Sequence, residues 1–405
     1  MRILHIVYEF PIAGNAAYRY HKAMLANGVD STMLSLTKAL KLYRVESFNE
    51  TIPHLLLRKL PEKIQEFFTN RKMKPNQYYF HKLRPLGMGY ADNPLVKEAD
   101  VIYMHWIERG SSAKDLEEIL SLGKPIIFVL HDMWAVTGGC HQCFDCDKFR
   151  YSCGNCNMFY GNEKATSRQL SLKGAIYGKY KNVCFLSPSR WMQQRAMESS
   201  VTKGRKVFHI PNLLDDSIFK PMAKSMARSI LNLPQDKIII SFGCQSGTRL
   251  AVKGWSYLRE AINLLSYPKD KILLLVFGSD KDIQTEEEVK YPIHFFGPVF
   301  DEHKLMLIAN AATVFVSPTL SETFGYTLIE NILCNTPVVS FDNTAIPEMV
   351  KMKENGYLAK NKYSKDLAAG IEWCIANPLS SKSHVDYSTS KIVEKHLEMI
   401  HELLS

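Results

Sequence analysis

The stretch Ser317-Pro318-Thr319-Leu320-Ser321-Glu322-Thr323-Phe324-Gly325-Tyr326-Thr327-Leu328-Ile329-Glu330 follows the apolar run Thr313-Val314-Phe315-Val316 and leads into Leu328-Ile329-Glu330-Asn331-Ile332-Leu333. That order predicts a strand, a polar turn and a helix. The first backbone N–H groups of such a helix have no internal acceptor and carry the positive end of its dipole, so the turn suits a phosphate. Gly325 lets the chain pass close to a ligand. Glu322 falls in the turn and Glu330 about one helical turn in, so both carboxylates can face the crevice at the strand's C-terminal end. Spacing alone leaves open that the two glutamates sit on a solvated helix.

Two carboxylates flanking an anion-binding helix tip suit a ligand with a phosphate between two sets of hydroxyls, as in a sugar nucleotide. The stretch resembles the E-x7-E signature of retaining glycosyltransferases of the GT-B fold, family four. The resemblance implies that Glu322 meets hydroxyls of the donor sugar and Glu330 the nucleotide ribose. It also implies that amides around Phe324, Gly325, Tyr326 and Thr327 meet the diphosphate and sugar. The fold it implies is α/β: two doubly wound Rossmann-like domains facing across a cleft, the acceptor on the first and the nucleotide sugar on the second.

Working outward, 405 residues are too many for one ordinary core, and 46% apolar with 22% charged residues is a globular composition. No apolar run reaches the roughly 18 residues of a membrane span. Met1-Arg2-Ile3-Leu4-His5-Ile6-Val7-Tyr8-Glu9-Phe10 is too short and too interrupted by charge for a signal peptide, and reads as a first buried strand. A cytoplasmic protein is expected. The net charge of +9 is uneven: residues 1–195 hold 27 basic and 17 acidic side chains, and the remainder 23 and 24. Residues 51–90 alone hold eight basic and two acidic side chains among Leu55, Leu56, Leu57, Leu60, Ile64, Phe67, Phe68, Tyr78, Tyr79 and Phe80. This is either the solvated face of a helical insertion or a surface for anionic lipid, which would place the protein on the inner face of the cytoplasmic membrane and make a polyprenyl-linked acceptor the natural one. No nucleic-acid motif accompanies the charge.

After the first strand, Gly14 permits close approach of backbone to a ligand. In the resembled family a glycine loop here lies beside donor and acceptor, often with two glycines where this chain has Gly14-Asn15. Val101–Trp106 and Pro125–Leu130 read as strands joined by a helix over Lys114–Leu122, one parallel β-α-β unit. The second strand delivers His131-Asp132-Met133-Trp134 to its C-terminal end. The resemblance gives His131 a contact to the donor sugar near the reacting carbon, and His105 is a weaker candidate on the acceptor side.

Cys140, Cys143, Cys146, Cys153 and Cys156 put five of nine cysteines in seventeen residues with overlapping C-x-x-C spacings. Such spacing in a chain without a secretory signal points to tetrahedral zinc rather than disulfides, with an iron–sulfur cluster or bare thiols as alternatives. Zinc takes four ligands, so one thiol is surplus. From His131 to Cys156 the chain is similar to a clade of glycosyltransferases assigned to colanic-acid (exopolysaccharide) biosynthesis. There the cysteines match Cys140, Cys146, Cys153 and Cys156, which implies a closed, structural zinc.

The α/β pattern restarts near Ile238–Gly243, whose loop carries Arg249 and Lys253 ahead of Gly254-Trp255. A glycine loop with two cations at a strand end is an anion site by charge and geometry, though such cations are often merely solvated. The resemblance assigns Arg249 and Lys253 to the donor diphosphate and places the nucleobase near the loop holding Gly297. The domains expected are 1–205 and 206–376, with residues 377–405 packing back on the first.

Charge stabilisation by Lys253 and Arg249 dispenses with a catalytic metal, so the D-x-D matches at Asp145/Asp147 and Asp280/Asp282 are read as chance. The function expected is retaining transfer of a sugar from a nucleotide-diphosphate sugar to a saccharide acceptor in surface-polysaccharide synthesis. The competing readings are a sugar-nucleotide epimerase or hydrolase on the same fold, and a zinc-dependent polyanion-binding protein with a vestigial nucleotide site.

Overall fold

The structure is a computed structural model that describes residues 1–10, 16–37, 39–49, 51–74, 80–161, 164–243, 250–281, 286–379 and 383–405. Gly14, Arg249, Tyr78, Tyr79 and Asp282 lie outside the described residues. The chain forms two compact units, Met1–Leu213 with Thr389–Ser405, and Leu214–Ser388.

The first unit holds a seven-stranded parallel sheet of β1 (Arg2–Val7), β2 (Asp30–Ser35), β3 (Val45–Ser47), β4 (Val101–His105), β5 (Ile126–Val129), β6 (Val183–Ser187) and β7 (Val207–His209), in the order β3-β2-β1-β4-β5-β6-β7. Its central strands are unbroken apolar runs because helices cover both faces. Every residue of β4 and β6 is buried. The helices are α1 (Ala16–Ala26), α2 (Ile52–Lys72), α3 (Pro94–Glu98), α4 (Ala113–Ser121), α5 (Ala165–Lys179) and α6 (Arg190–Glu198). Leu116 and Ile119 of α4 and Ile176 and Tyr177 of α5 bury against Ile102, Phe128 and Phe185. A capping box starts α4: the Ser112 hydroxyl accepts from the Asp115 amide, and the Asp115 carboxylate accepts from the Ser112 amide.

Winding runs outward from β1 to β3, then returns to the other side of β1 for β4. That reversal opens a crevice at the C-terminal ends of β1 and β4.

The second unit repeats the plan with β8 (Ile238–Gly243), β9 (Ile272–Phe277), β10 (Ile293–Phe295), β11 (Val314–Ser317), β12 (Val338–Phe341) and β13 (Gly356–Ala359), all parallel, in the order β10-β9-β8-β11-β12-β13. Its helices are α7 (Lys224–Ile230), α8 (Trp255–Leu264), α9 (Glu302–Ala311), α10 (Tyr326–Leu333), α11 (Ile346–Met349) and α12 (Ser364–Ala376). The reversal lies between β8 and β11, the strands that feed the Lys253 loop and the Glu322 turn.

Both expected boundaries move. The strand β7 still pairs with β6, so the first unit runs through Leu213 rather than ending at residue 205. Residues 377–388 stay with the second unit, where the Tyr387 ring lies 6.0 Å from that of Phe324. Only α13 (Thr389–Leu404) returns to the first unit, where its buried His396 is 3.0 Å from the Tyr103 hydroxyl.

The helical insertion expected within 51–90 is α2, and its apolar residues face water. Ile52, Leu56, Leu57, Leu60, Ile64, Phe67 and Phe68 are all at least half exposed, whereas Arg58 and Thr69 are its buried residues. No helix among the described residues is long and apolar enough to cross a membrane.

Candidate active site

In the second unit the site begins with two glycines in the left-handed region. Gly254 (φ +71°) starts α8 and Gly325 (φ +84°) starts α10. A Cβ on Gly254 would lie 1.9 Å from the Pro318 carbonyl oxygen, so the loop after β8 lies directly on the turn after β11. The Leu320 amide and the Thr319 hydroxyl donate to the Val252 carbonyl at 2.8 and 3.2 Å, fixing the two loops to each other. This contact brings the Lys253 ammonium to 3.6 Å from the Glu322 carboxylate, with both side chains partly in solvent at 35% and 22% exposure.

The Glu322 amide donates to the Thr344 hydroxyl at 3.0 Å, and the Ala345 amide donates to the Glu322 carbonyl at 3.3 Å. The turn is therefore braced from β12's loop as well. Leu328 and Ile329 make the first intrahelical bonds of α10, back to the Gly325 carbonyl, so the amides of Tyr326 and Thr327 lie in its open first turn. Phe324 is buried with its ring 5.0 Å from that of Tyr326. Glu330 is buried one turn into α10. Gly297 (φ +67°) follows β10, and its carbonyl accepts from the Gly278 amide at 2.8 Å, joining the loops after β9 and β10 along the same edge. Every described residue expected to bind donor in this unit thus lies at the strands' C-terminal edge or on the helix leaving it.

In the first unit His131 follows β5 and is buried. Its Nε2 is 2.7 Å from Nδ1 of His105, whose Nε2 is 3.1 Å from Nδ1 of His5 on β1. The three imidazoles form a line from the sheet interior to its C-terminal edge. The Trp106 ring lies 4.4 Å from that of His131, and Tyr20 is edge-on at 6.1 Å. Burial in these rings pulls the His131 pKa down to about 4 against the pull of Asp132, and holds His105 and His5 well below the usual histidine value. At neutral pH the line is uncharged, each ring able to donate one proton and accept another.

Asp132, next to His131, accepts from His141 Nδ1 at 2.7 Å, from Trp106 Nε1 at 3.1 Å and from the Trp134 amide at 2.7 Å. Asp132 raises the His141 pKa against burial, and His141 in turn lowers that of Asp132. Sequence reasoning did not single out His5, His141 or His81. Each is a lone histidine whose partner is remote in the chain, and spacing carries no signal for such a pair.

The cysteine loop folds against its neighbours through a bridge between Phe80 and Cys140. Phe144, Cys153, Gly154 and Asn155 all have positive φ, which gives the Cys143–Cys146 and Cys153–Cys156 turns a tight reversal. Cys140 is close enough to Cys143, Cys153 and Cys156 for their charges to oppose its ionisation, and burial pushes the Cys153 thiol up to about 11. All five are free thiols. As a soft donor set they fit zinc, which would replace the protons that burial now favours. Among the described residues, no three of these sulfurs come within 4.8 Å of one another; the group of potential ligands that does is His81, Glu108 and His141.

Comparison with known proteins first fixes the fold class. HepE of Anabaena, solved with UDP and glucose, is similar over the whole of both chains at 15% identity and TM-score 0.62. Sucrose-phosphate synthase of Thermosynechococcus elongatus is similar over 100% of this chain and 99% of its own, at 16% identity and TM-score 0.62. The fold is GT-B.

Residues 225–391, most of the second unit and the start of the last helix, match the family model described as glycosyl transferases group 1. Alpha-maltose-1-phosphate synthase of Mycolicibacterium smegmatis is 25% identical over 222 residues, 48% of this chain and 56% of that protein. The chain thus matches little more than half the length of that relative.

Proposed function

We propose that the chain is a retaining glycosyltransferase that moves a sugar from a nucleotide-diphosphate sugar to a saccharide acceptor, in synthesis of an exopolysaccharide or surface polysaccharide of the colanic-acid kind. The observation that carries this reading is the Lys253–Glu322 pair, 3.6 Å apart between two glycine-led helix starts at the reversal of the second sheet. When the glycosidic bond to phosphate breaks, negative charge gathers on the departing diphosphate. Lys253, joined by Arg249, and the open amides of α10 are the groups proposed to hold it. Glu322, oriented by the lysine, is the proposed contact to sugar hydroxyls, Glu330 to the ribose and Gly297 to the base. His131, neutral and buried, is proposed to donate a hydrogen bond to the sugar without placing a positive charge beside a developing oxocarbenium ion.

No carboxylate is assigned as a covalent nucleophile. Retention is proposed to follow from same-face displacement, in which a donor phosphate oxygen takes the acceptor's proton. Trapping of a glycosyl-enzyme adduct would overturn that step. No catalytic Mg²⁺ is expected, so omitting it should leave the rate unchanged.

Thermal unfolding with UDP, GDP and ADP and their sugars tests the donor site. A nucleotide at ~100 times its Kd should add about 2.7 kcal/mol and raise Tm by a few degrees, and Glu330→Ala should abolish the rise. The glucose and UDP bound to HepE make UDP-hexoses the first donors to try. Turnover of donor with no acceptor would favour the epimerase or hydrolase reading instead.

Two partners extend the proposal. The exposed apolar face of α2 with exposed Lys59, Lys63, Arg71 and Lys72 supports docking on anionic lipid, and hence a polyprenyl-linked acceptor. Co-sedimentation with phosphatidylglycerol vesicles should be lost in Leu57→Asp/Leu60→Asp and weakened by salt. Cys140, Cys146, Cys153 and Cys156 are proposed to hold one structural zinc that pins the loop behind His131.

A further inference from the structure

His81, Glu108 and His141 come from three separated stretches: the segment after the Phe80 bridge, the loop leaving β4, and the cysteine loop. His81 Nδ1 and His141 Nε2 are 2.9 Å apart, and a carboxylate oxygen of Glu108 lies within 4.8 Å of a ring nitrogen of each histidine. His141 and Glu108 are buried and His81 is half-buried. We propose that these three side chains bind one divalent transition-metal ion, with zinc the best match, at a site separate from the thiols.

Three features of the surroundings argue for an ion. The ligand types, two imidazoles and a carboxylate, are a set zinc takes with its fourth position left to water. His81 is only half-buried, which leaves the ion a route in from that side.

The second feature is orientation. Asp132 accepts from His141 Nδ1 at 2.7 Å, which fixes the tautomer and leaves the Nε2 lone pair facing His81 and Glu108. The His81 backbone is held as well, its amide donating to the Gly139 carbonyl and its carbonyl accepting from Trp134 Nε1, both at 2.9 Å. The ring is therefore presented from a fixed position.

The third is charge. Glu108 and Asp132 are two buried or nearly buried carboxylates, and among the described residues neither forms an ion pair with a lysine or arginine. The neighbouring Lys173 gives its protons to the Trp134 and Thr137 carbonyls and lies 3.7 Å over the Trp134 ring. Asp132 has only the His141 imidazole opposite it and Glu108 has no cation partner of its own among the described residues, so a divalent cation would let the Glu108 carboxylate stay charged in its buried position.

Binding asks for small movements. At metal–nitrogen bonds of about 2.0–2.1 Å, tetrahedral neighbours stand roughly 3.3 Å apart, so the imidazoles separate slightly while the carboxylate draws in. The ion would tie three stretches of chain together around Asp132 and so position His131 from behind.

The test uses the full chain purified from zinc-supplemented medium, and it depends neither on the transferase reading nor on metal at the thiols. X-ray absorption at the zinc edge should show nitrogen or oxygen in the first shell of the native protein. Glu108→Gln, which keeps shape, and His81→Ala should each lower bound zinc by one per chain. Cys146→Ser/Cys153→Ser should keep that equivalent, and with Co²⁺ should show ligand-field bands without thiolate charge transfer. A first shell of sulfur alone, absence of bound metal, or unchanged zinc in Glu108→Gln would overturn the proposal and leave Asp132–His141–His81 as a hydrogen-bonded chain. Should a variant fail to fold by near-ultraviolet circular dichroism, the native absorption spectrum decides by itself.

Discussion

At the reversal of the second sheet, Lys253 and Glu322 stand partly in solvent between two helices that start at left-handed glycines. At the reversal of the first, His5, His105 and His131 run inward among Tyr20, Tyr103 and Trp106, buried and uncharged. The winding is the same and the chemistry is opposite. One edge offers fixed positive charge, suited to a diphosphate. The other offers neutral donors and acceptors, suited to hydroxyls, and holds them in a setting that resists protonation. A doubly wound sheet supplies the crevice; the residues at its lip decide what the crevice is for.

The comparison can be broken most sharply at Lys253. Lys253→Ala should cost roughly 100- to 1000-fold in kcat if the second edge stabilises a departing anion, measured by donor turnover at saturating acceptor. A loss confined to KM would make it a ground-state contact only.

Acid should separate the two edges next. An unfolded histidine takes up its proton near pH 6.5 and buried His131 only near 4, so between those values the unfolded chain binds more protons and stability falls as pH falls. His131 alone should account for about 3 kcal/mol of loss over that window, with His396 adding in the same direction. Fluorescence and hydrogen exchange from pH 7 to pH 4 should show the first unit loosening before the second, whose His294 and His303 are exposed.

Gly254→Ala sharpens the geometry of the second edge. It forces a Cβ against the Pro318 carbonyl in a left-handed residue and should destabilise by roughly 2–3 kcal/mol, read from the urea midpoint. The smallest effect belongs to a pair outside either edge: Lys206→Ala breaks an exposed contact to Glu402 and should change stability by less than about 0.5 kcal/mol.

Much of this was legible in the sequence for a physical reason. Strands buried on both faces are continuous apolar runs, and turns that must bind anions carry glycine, so β8, β11 and the Glu322 turn are visible in one dimension. The meeting of Lys253 with Glu322 was implied only by resemblance, because 68 intervening residues separate what the β8–β11 pairing brings together. His131 and His105 were visible at their strand ends, but their meeting with each other and with His5 was not, and the His81–Glu108–His141 group left no trace. His5 reads as an interruption in an apolar strand, and Glu108 as an ordinary acid in a loop. The boundary at residue 205 failed because a three-residue edge strand, Val207–His209, is too short to announce itself.

The return of α13 has a consequence for synthesis. The first unit is discontinuous in the chain, and the second lies inside it as an insertion. On a ribosome the seven-stranded sheet emerges first but cannot cover Tyr103 with His396 until residue 396 has left the tunnel. The second unit, whole by residue 388, can mature while the first is still waiting for its final helix, so the half made earliest is the half completed last.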